Sequence, residues 1–357
     1  MKWLFGTILG CVAALVILFW FAGYNQVSGP YEETAVTPEQ RAQAESYVAR
    51  SLLPLPDGWT FETFEPESGV ALRAGRIEAS DPKGTVVLVP GYTAVIEVYA
   101  RTIRSLHEAG YTVAALEQRG QGMSHRVLAE PDKGHVESYD DLADDLAAFV
   151  RTLPGPVLVY GNSMGGHIAM RMLGRADAPE VAGTFLLVPM VKINTGPFPY
   201  EVARNITRLH SLMGFDGERA VGQSSWSPDA NLYSEAGPCN SVPERAWTLE
   251  ALYVLRPELR VRGTTNGWVH RTMASTDEIT QPQFLAGIDH PVMMVTAGID
   301  NYVDTAAAAR ACTAMGQCRR EHYETSLHCI ANETTEVRDD IFAKTIRFFD
   351  EVTAAAR

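Results

Sequence analysis

The stretch Pro156-Val-Leu-Val-Tyr160-Gly161-Asn162-Ser163-Met164-Gly165-Gly166-His167-Ile-Ala-Met-Arg-Met-Leu173 decides how this chain is read. Its first five residues form a short apolar run that suits a buried strand, and apolar side chains recur at helical spacing from Met164 onward. Between the two stands Gly-x-Ser-x-Gly, spanning Gly161 to Gly165. In a strand–turn–helix setting this motif puts the serine on a turn so sharp that neighbouring Cβ atoms would collide, hence the glycines. The helix starting beside the serine offers its N-terminus to developing negative charge. A plain glycine-rich turn is the alternative, and the flanking strand and helix weigh against it.

Outward from this motif, short apolar runs alternate with longer amphipathic stretches, the pattern of an α/β domain. Segments 85–89, 112–116, 156–160, 184–188 and 291–296 read as buried strands, with 95–109 and 138–152 as crossover helices between them. The rhythm stops for about a hundred residues before Pro291, far more than an ordinary connection needs. That insertion carries Trp226, Trp247 and Trp268, so it is expected to be a structured cap over the C-terminal edge of the sheet. The chain then divides into an N-terminal anchor (1–23), a tether and short helix (24–57), a first part of the core (58–190), the cap (191–288) and a second part of the core (289–357).

A serine needs a base, and the base needs a third group to orient it. In this architecture the chain order is serine, acid, histidine. The strand at 291–296 runs into Ala297-Gly298-Ile299-Asp300, which places Asp300 at a strand's C-terminal end, where ligand-binding and catalytic groups emerge. His328 follows the last expected strand and is the candidate base. Asp304 reads instead as a helix cap. Histidines 107, 125, 135, 167, 210, 270, 290 and 322 fall in helices, in strands, on turns or in the cap, outside the required order. The oxyanion hole requires two backbone N–H groups. Met164 supplies one, and Tyr92 in the loop Val89-Pro90-Gly91-Tyr92-Thr93 supplies the other.

The charge balance is 30 Lys+Arg against 43 Asp+Glu, a formal net charge of -13. That argues against nucleic-acid binding, which calls for a basic footprint. Residues 3–22 contain no charged side chain, have the length of a membrane-spanning helix and carry Trp3 and Trp20 near their ends. Bulky Phe19-Trp20-Phe21 at the exit disfavours a cleaved signal peptide. Ile8-Leu-Gly-Cys11 loosely imitates a lipoprotein site, but the apolar run continues past it. Lys2 ahead of the span predicts a cytoplasmic N-terminus, which in a bacterium puts the remainder in the periplasm, held at the inner membrane. Of the cysteines beyond the span, Cys312 and Cys318 suit a disulfide closing a helix-to-strand connection. Free buried thiols are the equal alternative for these two and for Cys239 and Cys329.

Further segments carry a resemblance. Glu117-Gln-Arg119-Gly120-Gln-Gly122-Met-Ser124 resembles an Asp-x-Arg-Gly-x-Gly-x-Ser segment, Gly134-His135-Val136-Glu-Ser138-Tyr139 a Gly-His-Val-x-Ser-Phe stretch, and His328 to Glu333 a His-x-x-x-x-Glu region. Together they resemble α/β-hydrolases of the lysophospholipase and monoacylglycerol lipase group. The cap segments Pro189-Met190, Thr195-Gly196-Pro197-Phe-Pro199, Pro257-Glu258-Leu259-Arg260 and Thr265-Asn-Gly267-Trp268 resemble the bacterial inner-membrane lysophospholipase branch. Pro90 stands where the group usually has His, and Glu117 where Asp is common.

The resemblance implies an α/β-hydrolase fold with a mostly parallel sheet, flanking helices and an inserted cap, preceded by a transmembrane helix. It also implies acyl-ester hydrolysis by Ser163, His328 and Asp300, requiring no metal or cofactor. The expected partner is a lipid or small ester, with membrane association through residues 3–22. The rivals are a small-ester or thioester esterase, a serine aminopeptidase, an acyltransferase and an inactive membrane-held binding module. Arg256, Arg260, Arg262 and Arg271 in the cap are candidates for phosphate head groups, weighed against a solvated helix face.

Overall fold

The computed structural model describes residues 31–231 and 239–356. The expected span at residues 3–22 lies outside them, and among the described residues no helix is long and apolar enough to cross a membrane. Eight strands form one sheet: β1 (Thr60–Phe64), β2 (Leu72–Ile77), β3 (Thr85–Val89), β4 (Thr112–Leu116), β5 (Val157–Asn162), β6 (Gly183–Leu187), β7 (Val292–Ile299) and β8 (Cys318–Leu327). Their order is β1-β2-β4-β3-β5-β6-β7-β8. The pairs β1/β2 and β2/β4 are antiparallel, and all others are parallel.

Helices cover both faces, which explains why β3, β4 and β6 are buried throughout and largely apolar. In β3, Val87 and Val89 point to one face while Val86 and Leu88 point to the other. The first face is covered by α3 (Tyr139–Arg151), α4 (Met164–Leu173) and α9 (Thr305–Ala314). The second is covered by α2 (Ala100–Glu108) and by α10 (Thr335–Ala356), which brings Phe348, Phe349 and Val352 against β6. Burying each such ring contributes about 1.5–3 kcal/mol.

The strands β1 and β2 have no counterpart in the sequence reading. Their residues are short and mixed: β1 is almost wholly exposed, and β2 carries Arg73 and Arg76. They pair as an antiparallel extension, and Trp59 packs over Gly75. The last strand, β8, runs over ten residues.

Between β6 and β7 the inserted segment contains α5 (Tyr200–Leu212), α6 (Thr248–Leu255), α7 (Asn266–Ile279) and α8 (Pro282–Ala286). Thr265 caps α7 by accepting the Trp268 N–H. The helix α1 (Pro38–Ser51) begins with a reciprocal Thr37–Gln40 capping box. It packs on the cap: Ala44 and Tyr47 join Trp226, Ala251 and Tyr253 in a separate apolar cluster. The Tyr47 hydroxyl donates to the Pro243 carbonyl at 2.6 Å and accepts from the Trp247 N–H at 3.1 Å. All four cysteines beyond the span are paired. Cys312 joins Cys318, and Cys239 joins Cys329, a bond for which the sequence offered no pairing signal.

Candidate active site

Ser163 sits between β5 and α4 with φ 50° and ψ −113°, a conformation that costs a non-glycine residue about 1–3 kcal/mol. The surroundings over-determine it. Its N–H donates to the Leu187 carbonyl, and its carbonyl accepts from the N–H groups of His167 and Met190. The glycines are required sterically. A Cβ on Gly161 would lie 2.8 Å from Gly166 Cα, and one on Gly166 would lie 3.0 Å from Pro189 Cβ.

Ser163 Oγ lies 2.9 Å from His328 Nε2, and His328 Nδ1 lies 2.6 Å from Asp300 Oδ2. A carboxylate only accepts, so Nδ1 carries the proton and Nε2 is left to accept from the serine. Asp300 follows β7, its side chain is fully buried, and its other oxygen accepts from the Tyr302 and Val303 N–H groups. His328 follows β8, with the Tyr302 ring centred 5.1 Å from the imidazole. The three residues thus come from the C-terminal ends of three strands, although 165 positions separate Ser163 from His328. Asp304 is the N-cap of α9.

The loop holding Tyr92 touches the serine: a Cβ on Gly91 would lie 3.3 Å from Ser163 Cβ. Most of its other polar backbone groups are occupied. Gln118 donates to the Pro90 carbonyl, Tyr99 accepts from the Gly91 N–H, Gln121 accepts from the Thr93 N–H, and Tyr253 of the cap donates to the Thr93 carbonyl. Tyr99 also donates to Asn162, the neighbour of Ser163. Among the described residues, the N–H groups of Tyr92 and Met164 have no acceptor, and Met164 opens α4 with the dipole in its favour. These are the two donors an oxyanion hole needs.

Tyr99, Gln118, Gln121 and Tyr253 were not among the sequence candidates. The two glutamines lie in the Glu117–Ser124 segment, which only the resemblance had marked. Glu117 itself is buried and accepts from Arg73 and from the Ile96 and Met123 N–H groups. Burial pushes its carboxyl up, and the Arg73 guanidinium opposes that.

Five of the competing histidines have side-chain partners elsewhere. His167 Nδ1 donates to the Met190 carbonyl at 3.0 Å, and its Nε2 accepts from Ser275 of α7 at 2.7 Å. Burial pushes its pKa down to about 3, with the Arg171 guanidinium adding to the shift and the Met190 bond opposing it. His135 meets Thr265, His210 meets Asn266, His290 meets Thr184 and His322 meets Thr296. The cap arginines are likewise engaged: Arg256 with Glu258, Arg262 with Glu250, and Arg271 with Asp216, while Arg260 lies over Trp226. Among the described residues no cluster of His, Cys, Asp and Glu is arranged to hold a metal.

Residues 80–335 match the protein family described as serine aminopeptidase, S33. Lysophospholipase L2 of Escherichia coli strain K12 is 29% identical over 279 residues, 75% of this chain and 79% of that protein. Phospholipase YtpA of Bacillus subtilis is 23% identical, over 77% of this chain and 98% of its own length. A soluble variant of monoglyceride lipase from Saccharomyces cerevisiae, solved with a substrate analog, has the same fold. It superposes with a TM-score of 0.63 at 16% identity, covering 91% of this chain and all of that one.

Proposed function

The chain belongs to the serine aminopeptidase S33 family and is a carboxylic-ester hydrolase, and we propose that Ser163, His328 and Asp300 perform the reaction on lysophospholipids or monoacylglycerols. The observation that carries this reading is the 2.9 Å contact of Ser163 Oγ with a histidine nitrogen obliged to accept, beside two N–H groups that have no acceptor among the described residues. Ser163 Oγ attacks the ester carbonyl carbon and passes its proton to His328 Nε2. The N–H groups of Tyr92 and Met164 receive the oxyanion, and Asp300 stabilises the imidazolium. The carbon–oxygen ester bond then breaks, and His328 returns the proton to the leaving alkoxide. A water molecule deprotonated by His328 releases the acyl group from Ser163.

The preference for lipid esters over small esters or amides draws on relatives named lysophospholipase and phospholipase. Labelling with a fluorophosphonate probe is expected in the wild-type chain and absent in Ser163→Ala. Hydrolysis of lysophospholipid, monoacylglycerol, short nitrophenyl esters and peptide amides is then compared. Faster cleavage of amides would replace the lipid reading with a peptidase.

For location, residues 3–22 hold the enzyme at the bacterial inner membrane with the catalytic domain in the periplasm. The uncharged run and the lysine before it support this reading. Two disulfides in the folded domain fit an oxidising compartment. Digestion of the domain by protease in spheroplasts, but not in intact cells, tests that orientation.

A further inference from the structure

Several bonds fasten one short segment of the cap to the loop that carries His328. Cys239 is disulfide-bonded to Cys329, the residue after His328, and the Cys329 N–H donates to the Cys239 carbonyl at 2.7 Å. On the other side of His328, the Leu327 N–H donates to Glu333 Oε1 at 2.9 Å. The same carboxylate accepts from the N–H of Ser241, 3.2 Å from each oxygen, and from the Ser241 hydroxyl. Arg245 of the cap donates to the Glu333 carbonyl. The loop itself is a tight turn closed by bonds from Ile330 N to His328 O and from Asn332 N to Cys329 O, both 2.8 Å.

Glu333 is 2% exposed, and its donors come from two places at once: the catalytic loop and a cap segment about ninety residues earlier in the chain. Both neighbours of His328 are therefore tied to Cys239–Ser241. A serine–histidine pair works only while the imidazole stays within about 0.5 Å and 10–20° of its productive pose. A displacement of about 1 Å costs on the order of a hundredfold in rate. Ties at both flanks of the histidine control that displacement directly, whereas a cap that only roofed the substrate would have no need of them.

We propose that Glu333 is a positioning residue for His328, and that the cap segment Cys239–Ser241, through Glu333 and the Cys239–Cys329 bond, sets the placement of the catalytic base. The cap thereby acts on the chemical step as well as on substrate entry. This inference rests on the reading of Ser163, Asp300 and His328 as the catalytic triad.

The test uses the full chain in detergent, with a short nitrophenyl ester too small to depend on cap contacts. It measures kcat, KM, the rate of fluorophosphonate labelling and Tm. In Glu333→Gln the single amide oxygen keeps the Leu327 and Ser241 N–H groups only as weaker, uncharged bonds, and the amide NH₂ faces the Ser241 hydroxyl, which must reverse to accept. This variant is expected to lower kcat and labelling by about tenfold or more with KM nearly unchanged, the signature of an interaction that matters in the transition state.

Cys239→Ser/Cys329→Ser is expected to behave likewise. Ser241→Ala is expected to lose about threefold, and Ser241→Thr, which keeps the hydroxyl, to recover it. Cys312→Ser/Cys318→Ser removes the other disulfide and is expected to leave kcat unchanged.

If Glu333→Gln does not fold, Ser241→Ala and the Cys239/Cys329 pair decide. Should those variants lose Tm while retaining wild-type kcat and labelling, the ties only stabilise and the proposal is overturned. A wild-type chain that neither hydrolyses the ester nor reacts with the probe overturns the triad reading, and this inference with it.

Discussion

A methyl group on Gly165 would lie 2.1 Å from the carbonyl oxygen of Val89, so α4 and β3 approach at a distance only glycine permits. The obstacle is backbone that cannot rotate away. Gly165→Ala is expected to destabilise the chain by about 3 kcal/mol or more through overpacking. At Gly69 the reverse holds: φ is +73° and nothing lies within 4 Å of an added Cβ. Gly69→Ala therefore pays only for its left-handed backbone, about 1–2 kcal/mol. Urea denaturation midpoints of the two variants check the contrast, and equal losses would refute the steric account.

Asp300→Asn is expected to lower kcat by about 10⁴-fold while leaving the fold intact. The direction follows from the partners of the carboxylate. One oxygen already accepts from the Tyr302 and Val303 N–H groups, so the amide oxygen takes that side and the amide NH₂ turns toward His328. Nδ1 must then accept, which moves the imidazole proton to Nε2 and leaves no acceptor for the Ser163 proton. Steady-state kinetics on a nitrophenyl ester measure the loss.

Acid stability reports on His167. Its folded pKa of about 3 lies below the ordinary 6.5, so between those values the unfolded chain binds a proton that the folded chain does not. Its contribution to stability is complete above about pH 6.5 and declines as the pH falls toward about 3. Burial pushes His290 down to about 4 and adds a decline of the same sign. Tm is expected to fall over this window, with a shallower slope in His167→Gln, the His290 share remaining. Parallel slopes in the two proteins would show that His167 does not titrate in this way.

Tyr47→Phe is expected to cost about 2 kcal/mol, since it strips partners from the Pro243 carbonyl and the Trp247 N–H at a half-buried junction. The loss should appear in Tm. Removing residues 1–52 should cost far more than removing 1–30, because only the longer deletion takes Ala44 and Tyr47 out of the cluster around Trp226. Differential scanning of both truncations separates a docked helix from a passive linker.

The Ser163 turn was legible because everything that defines it is local: an apolar run, two glycines around a serine, and helical spacing afterwards. Asp300 and His328 were legible because parallel strands deliver catalytic groups at their C-terminal ends in a fixed chain order. The antiparallel strands β1 and β2 escaped notice because the edge strand β1 is almost wholly exposed and β2 interrupts its buried positions with Arg73 and Arg76, so neither shows a continuous apolar run. The Cys239–Cys329 bond escaped because a spacing of ninety residues contains no pairing signal.

By itself, then, the sequence determined the sheet's parallel core, the serine turn and the chain order of Ser163, Asp300 and His328, since periodicity and turn chemistry act within a few residues. Only the tertiary structure decided what holds that chemistry in place. Tyr99 and Gln121 occupy the N–H groups on either side of Tyr92, Gln118 and Tyr253 hold the Pro90 and Thr93 carbonyls, and Glu333 ties the histidine loop to the cap. Those bonds join groups up to 160 residues apart, and the ones made by Tyr253 and Ser241 exist only once the cap is seated on the sheet.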